Sequence, residues 1–240
     1  MFFRLLTPFL WFASFILLLL ATLSAPIIPH IFLLSATADI TGSVLGVQAG
    51  QASESVWFGV WGWCAGEASF TVLGDTHELV AAQCSARHLG YTLDPAVEEI
   101  LQLTNSASDA NLILKGVTTA LVLHPIACGL AFLAWVLSFY LLLRPQGSSF
   151  SLCAVLPAAW LAGLLTTIAF VVDVVFVAVA RSKVWNASSG TVSIGFGNAV
   201  WMVLGAMIAA WLALGGTCAG VCCGEHGWRA RRAARNQAKF

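Results

Sequence analysis

The sequence predicts an α-helical membrane protein: a four-transmembrane-helix bundle carrying a small, disulfide-stapled extracellular β-sheet domain. Three observations lead there. Only 9% of the 240 residues are charged, against about 25% in a soluble domain, so the chain lacks the charge to coat a water-facing surface. Long apolar runs account for that deficit and raise the mean hydropathy to +0.88. The charges are also segregated: nine of the eleven acidic residues fall between Asp39 and Asp109, and five of the eleven basic residues fall in the last twelve positions. The formal net charge is zero, which gives no electrostatic reason to expect nucleic acid.

The first transmembrane helix is assigned to residues 1–34. It opens behind Arg4 with FLWFASFILLLLATLSA and contains Pro8, Pro26 and Pro29. Thr22 and Ser24 are small residues placed as in a signal-peptide cleavage site, but apolar character continues through PIIPHIFLL, which favours an uncleaved span. Residues 35–114 form an extracellular loop domain. Short runs of Val, Phe, Trp and Thr between glycines predict strands around Ser43–Gln48, Val56–Cys64 and Ser69–Leu73. Asp94-Pro95 then reads as an N-cap with proline at the first helical position of AVEEILQLT.

A second transmembrane helix over 115–144 is followed by a cytosolic loop, 145–151, so short that the third helix, 152–180, must return antiparallel to it. A second extracellular loop over 181–191 leads to the fourth helix, 192–217, and to a cytosolic cysteine-rich and basic tail, 218–240. With the N-terminus inside, the cytosolic side carries Arg4, Arg144, Arg229, Arg231, Arg232, Arg235 and Lys239, against Arg87, Lys115, Arg181 and Lys183 outside. That bias places both termini in the cytosol. The glycosylation sequon Asn186-Ala187-Ser188 falls on the extracellular side in the same orientation.

Several residues are candidates for chemistry or contact. Cys64 and Cys84 are the only two of seven cysteines in the extracellular loop, and an even count in an oxidising compartment predicts a structural disulfide. Trp57, Trp61 and Trp63, if they alternate on one strand, share a face and serve as core, as membrane-interface anchors or as a ligand platform. His124 and Asp173 lie inside the second and third spans, roughly 10 Å from their outer ends at 1.5 Å per residue. Ionisable groups at that depth are costly and usually paired. They form either a structural hydrogen bond between helices or a pH-responsive pair in which His124 titrates. Pro125 leaves the Leu121 carbonyl without its helical donor. Small residues at Gly205, Ala206, Ala209, Ala210 and Ala213 suit close helix contact. Cys218, Cys222 and Cys223 sit where S-palmitoylation is common, with zinc binding alongside His226 as the alternative. No nucleophile elbow, HExxH motif or phosphate loop is present, so the chain is not expected to be an enzyme, and no cofactor is expected.

The stretch Gly59-Val60-Trp61-Gly62-Trp63-Cys64, followed by Cys84, looks like the G-[LV]-W-x-x-C…C signature of claudin-like tetraspans. TTALVLHPIACGLAF (Thr118–Phe132), AFVVDVVFVAVAR (Ala169–Arg181) and GFGNAVW (Gly195–Trp201) closely resemble the fungal pH-response regulator PalI family. The resemblance runs through nearly the whole chain. It implies a claudin-like fold and a non-catalytic plasma-membrane component of ambient alkaline pH signalling. The expected partners are membrane lipids, a PalH-like seven-span pH sensor and, through it, an arrestin-like adaptor.

Overall fold

A computed structural model describes residues 2–44, 47–66, 68–72, 75–80, 83–86, 107–143, 149–187 and 192–222. Their order is α1 (Phe2–Thr22), β1 (Leu34–Val44), β2 (Val47–Phe58), β3 (Trp63–Ala65), β4 (Ala68–Val72), β5 (Asp75–Val80), β6 (Gln83–Cys84), α2 (Ala107–Leu143), α3 (Ser149–Ala187), β7 (Val192–Phe196) and α4 (Asn198–Cys222). Among the described residues, three helical stretches are long and apolar enough to cross a bilayer: Leu121–Tyr140, Val155–Ser182 and Asn198–Cys218. The apolar part described in α1, Leu6–Thr22, is shorter.

The helices are packed the way lipid, and not water, would dictate. Buried helical positions are mostly small, as at Ala127, Ala131, Ala134, Ala159, Ala162 and Ala206, while Trp160, Val175, Trp201 and Leu212 are each more than half exposed. Hydrocarbon offers no drive to hide large apolar side chains, so they face outward and small residues let the backbones approach. This is a membrane protein.

The chain divides into two compact units. The first comprises residues 1–19, 126–168 and 203–240. In it Trp11 is fully buried among Ala134, Ala159, Ala162, Ala210, Ala213 and Leu214. Leu18 packs with Ala127, Cys128, Ala131 and Ala206 in a second cluster. The small face of α4 meets α1 here: Ser14 Oγ donates to the Ala206 carbonyl at 2.9 Å. A β-carbon at Gly205 would already touch Leu17 at 3.3 Å.

The second unit comprises residues 20–125 and 169–202 and contains the sheet. Its described strands run in the order β5-β4-β2-β1-β7, with β3 joined to β2 and to β6. β1 and β2 form a long antiparallel pair from Leu34 opposite Phe58 to Val44 opposite Val47. The single strand expected at Ser43–Gln48 is therefore the meeting ends of two strands. β7 closes the other side of β1, with Leu34 opposite Phe196 and Ala38 opposite Val192.

Three further expectations change. Residues 192–196, assigned to the fourth helix, are a strand instead, because β-branched Val192 and Ile194 pair with β1 before Gly197-Asn198 opens α4. Helix α1 stops at Thr22, since the chain beyond it meets Pro26 and Pro29, neither of which supplies a helical donor. Asn186, expected in a loop, lies in the last turn of α3. The predicted AVEEILQLT helix lies outside the described residues.

Candidate functional site

The expected strand Val56–Cys64 is two strands with a reversal between them. Gly59 N–H donates to the Gly62 carbonyl at 2.8 Å, and Gly62 adopts φ +151°, a conformation that L side chains rarely take. Trp57 therefore ends up on β2, Trp61 in the turn and Trp63 on β3. The three do not share one strand face. Gly59 packs so closely on Ala25 that a β-carbon would collide with its backbone.

That turn is bolted to the segment following α1. Val60 N–H donates to Ser24 Oγ at 2.8 Å, and Trp61 N–H donates to the Ala25 carbonyl at 3.3 Å. The Trp61 indole Nε1–H donates to the Thr22 carbonyl at 2.5 Å, satisfying one of the acceptors that a helix end leaves open. Beyond the turn, Trp63 N–H donates to Ser85 Oγ at 3.0 Å. The Cys64–Cys84 disulfide links facing positions of β3 and β6. Trp61 is thus a half-buried anchor built into the fold.

Asn198 supplies a second bolt that sequence reasoning missed. Its Oδ1 accepts from Phe32 N–H at 3.0 Å, and its Nδ2 donates to the His30 carbonyl at 2.7 Å. The side-chain amide imitates a strand neighbour for that stretch of backbone. The visible cue was Gly197-Asn198 ahead of an apolar run, a common helix-start pattern.

The structure brings His124 and Asp173 together. His124 Nε2 lies 3.0 Å from Asp173 Oδ2, and the two side chains are 0% and 4% exposed. Helix periodicity explains the meeting place. Leu121 is one turn before His124 and Val177 one turn after Asp173, and both belong to one apolar cluster. Leu33 and Leu34 at the start of β1, Val60 of the tryptophan turn, Ile194 of β7, and Ala199 and Val200 of α4 complete that cluster. The pair therefore sits one turn from the core on which the sheet rests. Pro125 follows directly within α2 and denies the Leu121 carbonyl its intrahelical donor.

The remaining candidates fall elsewhere. Cys218 is half-buried against the Trp11 cluster. Cys222 is the last residue of α4, and Cys223 and His226 lie outside the described residues. Among the described residues no group of three His, Cys, Asp or Glu side chains converges as a metal site would require.

A profile of the SUR7/PalI family matches residues 3–213. The chain belongs to the SUR7/PalI family. No curated protein matches it. For this member of the SUR7/PalI family the match spans the tryptophan turn, both cysteines of the disulfide, His124, Asp173 and Asn198. The features that build the sheet and its seat all lie inside the family region.

Proposed function

We propose that this protein is an accessory plasma-membrane component of ambient alkaline pH sensing, which helps a PalH-like seven-span sensor reach or remain in the membrane. Signalling then continues through that sensor to an arrestin-like adaptor. Membership of the SUR7/PalI family supports the reading. The observation that carries it further is the buried His124–Asp173 contact. Imidazole is the side chain whose ordinary titration falls in the physiological range, and in this chain it touches a carboxylate next to the core of the sheet.

In this reading α1 is a fourth span, both termini are cytosolic, Asn186 carries sugar, and Cys218, Cys222 and Cys223 are acylation sites. Burial of Trp11 and Leu18 among residues of the longer helices supports the fourth span. The cytosolic termini follow from the bias of Lys and Arg.

A second reading, a structural tetraspan that organises cortical membrane domains or cell-wall contact, is favoured by the family profile itself, which joins the SUR7 and PalI branches. Deleting the gene and scoring growth at alkaline pH separates the two. The first reading predicts loss of alkaline growth with membrane patches retained. Intact alkaline growth with dispersed patches rejects it in favour of the second.

A further inference from the structure

We propose that the helix bundle binds a fixed water beside Trp11, which accepts the indole N–H and donates onward to the hydroxyls of Ser138 and Thr217. Trp11 is fully buried, and among the described residues its Nε1 is a buried nitrogen with no hydrogen-bond partner. An indole N–H only donates. Left unmet inside a bilayer it is costly, because no bulk water is there to relieve it. The ring is enclosed by Ala134 of α2, Ala159 and Ala162 of α3, and Ala210, Ala213 and Leu214 of α4. Those side chains leave room around the ring but carry no acceptor.

Hydroxyl oxygens lie one turn away, all toward the same end of the bundle. Helix α1 runs antiparallel to α4: Leu17 lies beside Gly205, Ser14 bonds to Ala206, and a β-carbon at Gly216 would collide with Thr7 Oγ1. It is antiparallel to α2 as well, since Phe15 pairs with Phe132 and Phe12 with Trp135. Thr7, Ser138 and Thr217, each about one turn from Trp11, Ala134 and Ala213 respectively, therefore come to one level. All three are buried. Thr217 Oγ1 donates to the Ala213 carbonyl at 2.8 Å, so its lone pairs remain to accept.

Water suits this site by its chemistry. It accepts from one group while donating to two others, and a buried water makes about three hydrogen bonds. Trp11, Ser138 and Thr217 supply those partners from α1, α2 and α4. An all-apolar cavity would stay dry, but this one has a donor on one side and hydroxyls on the other. A lipid chain offers no acceptor, and enclosure by α2, α3 and α4 keeps a partner chain from supplying one. The water thus gives α1, whose described apolar stretch Leu6–Thr22 is shorter than those of the other helices, a polar attachment to two of them.

This inference is independent of the pH-sensing reading. NMR of the full-length protein in lipid nanodiscs, with isotope-labelled tryptophan, follows the Trp11 indole proton as the resonance lost in Trp11→Phe. Its NOEs to the surrounding alanine methyls assign it equally well, so a variant that fails to fold leaves the test intact. The wild type is expected to show a cross-peak from this proton to water whose sign inverts between NOE and ROE spectra, as for bound water and not for proton exchange. Ser138→Ala and Thr217→Val are each expected to weaken the peak, and the double variant to lose it. Absence of the cross-peak in the wild type overturns the proposal. Complete loss in one single variant with no change in the other assigns the contact to that hydroxyl directly, and also overturns it.

Discussion

At the scale of single residues, the fold depends on a few polar groups that have no substitute. Asp173 is 4% exposed and faces an imidazole that is fully buried. Asp173→Ala strands His124 without that partner and is expected to cost about 2 kcal/mol, read as a lower thermal midpoint in detergent. Asp173→Asn keeps a hydrogen bond and is expected to cost less than half as much. Unchanged midpoints in both variants would show that the contact contributes little. Gly59 is constrained differently, by space alone. Gly59→Ala drives a methyl into the Ala25 backbone, with an expected cost of about 2 kcal/mol from the forced shift. A wild-type thermal midpoint in that variant would mean that the turn does not rest on Ala25.

Between elements, the Cys64–Cys84 bridge closes a segment of sequence separation 20. Cys84→Ser is expected to lower stability by about 3 kcal/mol in the chain-entropy account, measured by thermal unfolding under non-reducing conditions. A midpoint unmoved by the substitution would place the stability of β3 and β6 elsewhere. The bridge was legible from two cysteines in one loop, and the helices from their long apolar runs. The turn at Gly59–Gly62 and the strand Val192–Phe196 were not. Both lie in apolar sequence where strand, turn and helix end share one composition, and tertiary pairing made the choice. β7 exists because β1 offers it an edge. Asn198 escaped notice for a related reason: its amide reaches backbone more than 160 residues away in sequence. The meeting of His124 and Asp173, by contrast, followed from antiparallel neighbours and equal depth, which need only helix geometry.

For the molecule as a whole, the outward-facing large apolar residues and small-residue interior make the bilayer part of the structure. In the proposed role, lateral contact within the membrane is the route to the sensor. The unit formed by residues 20–125 and 169–202 holds the sheet, the tryptophan turn and the His124–Asp173 pair. Its proposed output is the presence of a seven-span sensor at the cell surface. The most direct measurement is therefore the plasma-membrane fraction of that sensor at alkaline pH, in cells that lack this protein and in cells given it back. Deletion is expected to cause a several-fold loss, with full recovery by the wild-type chain and incomplete recovery by His124→Gln. A sensor that is equally abundant at the surface with and without this protein would contradict the accessory role.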